Sequence, residues 1–189
     1  MSKTLGLSII IPVFNAKKYI LNCINSILNQ SIETSFEIIV IDDASTDNSI
    51  DLLKELNSPF IKIHSLKKNS GPASARNAGL KMAKGEYIFF LDADDTLSKN
   101  SLNTMFGEVK MNSFDLVICD KKIIENQKNQ RENNFIYSTD KTFDNLEITH
   151  EIIKRLHNPL YQLGLLGLTG ILIKKSILVE NNIHFEDGL

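Results

Sequence analysis

The first half of the chain alternates between apolar runs of strand length and amphipathic segments of helix length. Apolar runs predict strands over residues 7–14, 36–41 and 87–91, and a polar–apolar alternation predicts a strand nearer the sheet edge over residues 60–66. The intervening segments predict helices over residues 16–30, 49–56 and 72–84. Strands that alternate with helices favour right-handed crossovers. The pattern therefore predicts an α/β fold, a three-layer α/β/α sandwich around a mostly parallel central sheet.

The second half of the chain has a less regular pattern. It predicts helices over residues 98–111, 143–156 and 176–182, and a short strand over residues 114–119. Residues 121–134 are polar and predict a loop, whereas the apolar, glycine-containing residues 160–173 indicate no single structure. We find no internal repeat or linker, so residues 1–189 are expected to form one domain.

Bulk composition narrows the class of protein. The chain has 189 residues with 42% hydrophobic and 23% charged side chains, which is ordinary for one globular domain. A net charge of −2 gives no electrostatic footprint for nucleic acid. Cys23 and Cys119 lie far apart in apolar segments and are expected to be reduced core residues of a cytosolic domain.

The two ends of the sequence carry further expectations. No signal peptide is visible, and the apolar runs are too short to span a bilayer. The chain stops abruptly at Leu189, so we expect it to be a truncated piece of a longer protein. Peripheral membrane association through the missing regions stays open.

A cluster of carboxylates follows the apolar run at residues 87–91. Asp92, Asp94 and Asp95 come directly after it. Ligands of open α/β sheets bind beyond the carboxyl ends of the strands, and acids packed together repel unless a cation lies between them. A divalent metal that also holds a substrate phosphate would satisfy all three. The alternative is a helix cap, which requires only one of them.

A second polar cluster follows the strand at residues 36–41. Ser45 or Thr46 is expected to cap the next helix, and Asp47 suits the positive end of its dipole. Asp42 and Asp43 are then left without a capping role. They are well placed to accept hydrogen bonds from a ribose or a base edge.

Two further segments have unusual residues at element ends. Pro12 is expected to end ladder pairing and free the backbone to line a pocket, although a plain strand terminator would look the same. Arg76 falls in or near the first turn of the helix over residues 72–84, where the dipole disfavours a cation by ~0.3–1 kcal/mol. An anion, either a site aspartate or a phosphate, is therefore expected nearby; the alternative is an exposed arginine.

Several familiar signatures are absent from the sequence. It contains no Gly-x-Gly-x-x-Gly, no Gly-Lys-Ser/Thr phosphate loop and no Gly-x-Ser-x-Gly elbow. Its four histidines are scattered singly, without the spacing of a metal cage or of a nucleophile–base pair. These absences argue against the dinucleotide, P-loop and serine-hydrolase classes.

Four segments together resemble the inverting glycosyltransferases of family 2, which have the GT-A fold. They are residues 8–15, 37–47, 69–79 and 85–95, in the family's order and spacing. The resemblance implies transfer of a sugar, with inversion, from a nucleotide-diphosphate sugar (a UDP-sugar is expected) to a saccharide or lipid-linked acceptor. It also implies a Mn²⁺ or Mg²⁺ cofactor. The Asn-, Lys- and Ile-rich composition suggests a bacterial surface polysaccharide as product, made in the cytoplasm or at the inner face of the membrane.

The resemblance assigns roles to individual residues. Residues 1–96 would bind the nucleotide sugar, and residues 97–189 would form an incomplete acceptor side. Asp42 would hold the base, Arg76 would steady the base and the aspartates, and Asp94 and Asp92 would be the metal-site residues. The full set of expected donor-site residues is Pro12, Phe14, Asn15, Asp42, Asp43, Ser45, Gly71, Arg76, Asp92, Ala93 and Asp94.

The resemblance also implies a catalytic base from an acidic pair in the acceptor half. Glu186 and Asp187 form such a pair. However, Phe185 and Gly188 resemble residues that precede the family's pair, so the base is expected just beyond Leu189, with Asp187 as the fallback candidate. Without its base the chain should bind donor but transfer poorly.

Three other classes compete with this interpretation. A receiver-type signalling domain also has strand-end acids and a metal, but its acidic pair should follow the first strand, which here ends Pro-Val-Phe-Asn. A sugar-1-phosphate nucleotidyltransferase should have a glycine-rich basic loop near its N-terminus, which is not seen. A non-catalytic nucleotide-sugar-binding fragment would bind nucleoside diphosphate without transferring sugar.

Overall fold

The computed structural model describes residues 5–112, 115–119, 136–137 and 170–185. Within these residues the strands are β1 to β7 in chain order: Leu7–Val13, Phe36–Asp42, Ile61–Ser65, Tyr87–Phe90, Leu116–Cys119, Ile136–Tyr137 and Ile171–Lys174. The helices are α1 to α5: Ile20–Leu28, Ser49–Glu55, Gly71–Met82, Ser101–Asn112 and Lys175–Glu180. No helix in these ranges is long and apolar enough to cross a membrane.

The strands form one mixed sheet in the order β3-β2-β1-β4-β7-β5-β6. Strand β1 pairs in parallel with both β2 and β4, and β3 pairs in parallel with the outer side of β2. Strand β7 then pairs antiparallel with β4 and β5, and β6 pairs antiparallel with β5. The parallel half matches the sequence prediction. The insertion of β7 between β4 and β5 was not predicted, because the run over residues 160–173 indicated no single structure.

Helices cover the sheet on both faces, which confirms the three-layer sandwich. One apolar core joins the sheet to α1, α2 and α4 and includes fully buried Ile9, Ile24 and Phe89. The second core joins the opposite face to α3 and α5 and includes Ile10, Ile88 and Ile177. Central strands that are buried on both faces explain why their sequences are continuous apolar runs rather than alternating ones.

The chain reverses its direction of travel across the sheet between β1 and β4. Strands β1, β2 and β3 add successively on one side, and α3 then returns the chain to place β4 on the other side of β1. Such a switch point opens a crevice beyond the carboxyl ends of the two flanking strands. The fold therefore provides a ligand-binding crevice at the ends of β1 and β4.

The prediction for Pro12 was half right. Pairing of β1 with β2 continues past this residue to Val13, so Pro12 does not end that ladder. Pairing with β4, in contrast, stops at Ile10, after Ile10 O accepts a hydrogen bond from the N–H of Leu91. Proline has no N–H with which to extend the ladder on that side, so the crevice opens there.

The opposite end of the sheet is closed by a buried polar cluster. Ser8 Oγ donates to Glu37 Oε1 at 2.7 Å, and the N–H groups of Lys84 and Gly85 donate to this pair. Lys62 Nζ forms an ion pair with the other carboxylate oxygen of Glu37, which is only 3% exposed. The cluster fixes the turn that leads into β4, and β4 carries the aspartate segment at its far end.

Most other differences from the predicted bounds are small. Helix α1 begins at Ile20 rather than at residue 16, because residues 17–19 form a turn. Cys23 is buried and free, as expected, and Cys119 ends β5. The predicted helix over residues 143–156, the predicted loop over residues 121–134 and the candidate base Asp187 lie outside the described residues.

Candidate functional site

A cavity of about 390 Å³ lies at the carboxyl ends of β1 and β4. Eight residues assigned to the donor site by sequence line it: Pro12, Phe14, Asp43, Gly71, Arg76, Asp92, Ala93 and Asp94. Five lining residues were not predicted: Val13, Ala16, Tyr19, Asn69 and Pro72. The cavity thus lies at the switch point of the sheet, where segments distant in sequence meet.

An ion pair links helix α3 to the aspartate segment after β4. Arg76 Nη2 donates to Asp92 Oδ1 at 2.6 Å, with the two side chains 15% and 28% exposed. Arg76 lies in the second turn of α3, slightly later than predicted, and the expected anion beside it is an aspartate. A charge-assisted bond that is partly shielded from water is stronger than a surface pair, so Arg76 fixes the orientation of Asp92.

The backbone of the aspartate segment is fixed, and one carboxylate faces solvent. Asp95 N–H donates to Asp92 O at 3.0 Å, and the Cys23 thiol donates to the same oxygen at 3.6 Å. Burial, and then the charges of the neighbouring aspartates, raise the pKa of Cys23 to about 12, which keeps it a protonated donor. Ala93 is buried whereas Asp94 is exposed, so the carboxylate of Asp94 is accessible to a ligand.

Helix α1 also holds the segment that follows the aspartates. Ser26 Oγ accepts from Leu97 N–H at 3.0 Å. The buried Gln30 amide donates to Ser98 O at 2.9 Å and accepts from Leu102 N–H at 3.2 Å. Cys23 and Ser26 lie about one turn apart on α1, and Gln30 follows two residues after the helix ends at Leu28. These polar contacts to the segment after the aspartates were not recognised in the sequence.

Asp43 caps helix α3, which corrects the sequence interpretation that it has no capping role. Its Oδ1 accepts from Ser70 N–H and its Oδ2 from Gly71 N–H, both at 2.7 Å. The side chain is 3% exposed and lies at the positive end of the helix dipole. Gly71 has a φ of +87°, which favours glycine there. No sequence signal reveals this cap, because it comes from 27 residues away.

Asn15, Asp42 and Ser45 lie outside the cavity lining and hold the loops next to it. Asn15 Oδ1 accepts from Thr46 N–H at 2.8 Å, and Asn15 N–H donates to Ser45 Oγ at 3.1 Å. Asp42 Oδ1 accepts from Ser45 N–H at 2.8 Å, so Asp42 too has a local structural role. The predicted capping of α2 by Ser45 or Thr46 was wrong.

The cap of α2 comes instead from Asp47, whose Oδ1 accepts from Ser49 N–H at 3.0 Å.

Two aromatic side chains form an exposed part of the cavity lining. Phe14 is 49% exposed and Tyr19 is 52% exposed. Large aromatic side chains are normally much more buried than this. Tyr19 is the residue just before α1 and lines the cavity. Exposed rings on a cavity provide flat surfaces on which a planar ligand can stack.

The carboxylates of the cavity fit a metal ion whose coordination is completed by a substrate. Among the described residues there is no group of three or more His, Cys, Asp or Glu side chains arranged to hold a metal ion by themselves. Asp92 and Asp94 nevertheless line the same cavity. Mg²⁺ is commonly bound by one or two carboxylates together with substrate phosphates and water. Two carboxylates, one exposed, fit that pattern.

Fold and cavity together define a class. Acidic and basic groups at the switch point of a mostly parallel sheet are typical of α/β proteins that bind phosphate-containing ligands. Within that class, the model of the family described as glycosyl transferase family 2 matches residues 8–170. The chain belongs to glycosyltransferase family 2.

The relatives agree with this assignment. Glycosyltransferase GlyG of Streptococcus pneumoniae is 30% identical over 187 residues, which cover 96% of this chain and 60% of GlyG. The poly(ribitol-phosphate) β-N-acetylglucosaminyltransferase TarP of Staphylococcus aureus is 44% identical over 115 residues, which cover 59% of this chain and 35% of TarP. The chain thus spans less than two thirds of either relative.

A solved structure confirms the fold. Residues 1–349 of S. aureus TarS superimpose with a TM-score of 0.74 at 26% identity, covering 96% of this chain and 50% of that one. A complex of the same TarS fragment with UDP-GlcNAc also matches with a TM-score of 0.74, covering 98% of this chain and 50% of that one. The family and the GT-A fold that the sequence resembles are therefore both confirmed.

Proposed function

We propose that this chain is the donor-binding part of an inverting, metal-dependent glycosyltransferase that uses a nucleotide-diphosphate sugar. The observation that carries the proposal is the single cavity shared by Asp92, Asp94, Arg76 and two exposed aromatic rings. A nucleoside diphosphate has a planar base and an anionic end, which match the two kinds of lining. UDP is the proposed nucleotide, and the similarity to TarS, which was solved with UDP-GlcNAc, supports this choice.

Asp94 and Asp92 would hold Mn²⁺ or Mg²⁺. A metal ion held by these residues would supply positive charge to balance the negative charge on the departing nucleoside diphosphate. Asp92 already gives one oxygen to Arg76, whereas Asp94 is exposed. We therefore assign the larger share of metal binding to Asp94 and an orienting role to the Arg76–Asp92 pair.

The remaining residues of the cavity position the donor. Phe14 and Tyr19 would stack with the base, and the capped N-terminus of α3 would form the wall beside the diphosphate. Direct inversion requires an acceptor hydroxyl to attack the anomeric carbon opposite the leaving group, while a carboxylate takes its proton. We assign that base to the acceptor half, with Asp187 as the candidate in this sequence.

The acceptor is proposed to be a saccharide or lipid-linked glycan of a bacterial surface polysaccharide. The support comes from the relatives, because TarP and TarS are poly(ribitol-phosphate) β-N-acetylglucosaminyltransferases. Attachment of the protein to a membrane stays a prediction.

The proposal is tested by isothermal titration calorimetry of UDP, with GDP as comparison, with and without Mn²⁺. We expect metal-dependent binding of UDP that Asp94→Asn abolishes. The matched control is Asp51→Asn, since Asp51 is an exposed acid on α2, away from the cavity. Binding that survives in Asp94→Asn, or a folded chain that binds neither nucleotide, would reject the donor site.

Measuring UDP binding and sugar release on the same protein distinguishes an enzyme from a non-catalytic binding fragment. The chain spans about half of the TarS fragment that it matches, so part of the acceptor side can lie elsewhere. Metal-dependent UDP binding without release of sugar from UDP-sugars, with or without acceptor, is the result expected of a non-catalytic donor-binding fragment.

A further inference from the structure

The segment after α5 is attached to the helix that carries Arg76. Asn77, the next residue of α3, donates from Nδ2 to the carbonyl oxygen of Phe185 at 2.8 Å. The N–H of Phe185 donates back to Asn77 Oδ1 at 2.9 Å. One amide side chain thus satisfies both backbone groups of a residue that is 108 positions away in sequence. Such two-way pairing fixes both the position and the direction of the backbone at Phe185.

The ring of Phe185 lies against the guanidinium that holds the aspartate. Arg76 Cζ is 5.6 Å from the ring centroid, within the range of a cation–π contact. The ring is 8% exposed and packs edge to face on Phe90, at 5.1 Å between centroids and an interplanar angle of 80°. Phe90 ends β4, and Asp92 follows two residues later. Phe185 is therefore linked to the aspartate segment in two ways. It contacts Arg76, which holds Asp92, and it packs on Phe90 at the end of the preceding strand.

We propose that Phe185, held by Asn77, is a positioning residue of the donor site, so that docking of residues 183–185 and binding of a nucleoside diphosphate favour each other. This inference rests on the proposed function of the cavity. Arginine has a long side chain that loses much rotamer freedom when it is fixed. Arg76 is held on one side by Asp92 and on another by the Phe185 ring. Loss of the ring would leave Asp92 tied to a more mobile cation.

The coupling has a functional consequence. Phe185 leads directly into Glu186 and Asp187, the acidic pair of the acceptor half. Because coupling between two equilibria is reciprocal, a bound donor would stabilise the docked state of the chain that enters this region. The donor site would then contain a residue from outside the first 96 residues.

The first test is calorimetric binding of UDP with Mn²⁺ to Asn77→Asp. The carboxylate can still accept from Phe185 N–H, but it faces Phe185 O with an acceptor instead of a donor. We expect UDP affinity to fall about fivefold or more, the lower range of measured coupling factors. The matched control is Asn181→Asp, which also loses a donor to a carbonyl (Ile177 O, 2.9 Å), but this hydrogen bond does not involve Phe185. Its UDP affinity should not change.

A second variant and a second readout separate positioning from simple destabilisation. Phe185→Leu keeps apolar bulk but removes the ring face, and it should weaken UDP binding at temperatures where thermal unfolding shows the protein to be fully folded. In the wild type, UDP with Mn²⁺ should slow amide hydrogen exchange of Phe185. The slowing factor should be comparable to the factor by which Asn77→Asp lowers UDP affinity. If Phe185 had a purely structural role, the variants would lower the unfolding temperature, but UDP would not slow hydrogen exchange at Phe185.

The outcomes are distinguishable. Wild-type UDP binding that Asp94→Asn abolishes but Asn77→Asp and Phe185→Leu leave unchanged would overturn the coupling and leave the donor site intact. Absence of UDP binding by the folded wild type would overturn the proposed function and the coupling together.

Discussion

Replacement of Asp43 by asparagine tests whether this carboxylate belongs to the fold or to the ligand. Both oxygens of Asp43 accept backbone N–H groups at the start of α3, each at 2.7 Å, and the side chain is 3% exposed. An asparagine amide offers only one oxygen, so its NH₂ group would face one of the two N–H donors. The shape of the side chain is retained while one acceptor and the negative charge are lost.

The expected cost follows from these contacts. A buried N–H that loses its acceptor costs about 1–3 kcal/mol. Loss of a negative charge from the N-terminus of a helix adds about 0.3–1 kcal/mol, since the helix dipole is no longer balanced. The two contributions together predict that Asp43→Asn lowers the free energy of unfolding by about 1.3–4 kcal/mol. The ligand affinity of the molecules that remain folded should change much less.

The assay is urea unfolding followed by far-UV circular dichroism, together with UDP calorimetry under native conditions. Asp51→Asn is the control, because Asp51 is 68% exposed and its ion pair with Lys54 is a surface pair, worth less than about 1 kcal/mol. A loss of stability below about 0.5 kcal/mol, combined with loss of UDP binding, would refute the cap and make Asp43 a ligand contact.

Three further predictions concern the opposite end of the sheet and helix α1. Burial alone would raise the pKa of Glu37, but hydrogen bonds led by those from Lys62 and Ser8 lower it overall. The ionised Glu37 therefore stabilises the fold fully above pH ~4.3, and this stabilisation is lost as the pH falls through the lowered pKa of the folded state. Glu37→Gln should flatten the acid side of the stability–pH curve measured by urea unfolding. Gly85→Ala would place a Cβ 2.5 Å from the carbonyl carbon of Leu7 and should cost about 3 kcal/mol or more in the same assay, and wild-type stability would contradict the packing. Cys23, buried and with its pKa raised to about 12, should resist iodoacetamide at pH 8 in the folded protein and react on unfolding, as mass spectrometry would show.

The first half of the fold could be predicted because local pattern and burial agree there. Strands β1, β2 and β4 are buried on both faces, so their sequences are apolar runs with clear ends. Strand β7 was missed because it is short and its neighbours are set by the sheet, not by sequence order. No local signal indicates that β7 inserts between β4 and β5.

The cavity was partly predictable for a similar reason. Asp92, Asp94 and Arg76 carry charges next to strand or helix ends, and the order of the strands brings them together. The division between ligand-facing and structural groups could not be predicted. Asp43 and Asn15 look like ligand residues in sequence, but each is satisfied by backbone groups about 30 residues away. Hydrogen bonds of this kind are a property of the folded chain.

The central claim, that the cavity binds a nucleotide-diphosphate sugar, is tested most directly by nuclear magnetic resonance of the 189-residue chain. UDP-GlcNAc with diamagnetic Mg²⁺ should shift the amide signals of Phe14, Gly71 and Ala93 at the cavity. The amides of Ser8 and Glu37, at the opposite end of the sheet, should stay unchanged. Saturable shifts confined to the first group would support the account. No shifts at the cavity in a folded sample, or shifts confined to the opposite end, would contradict it.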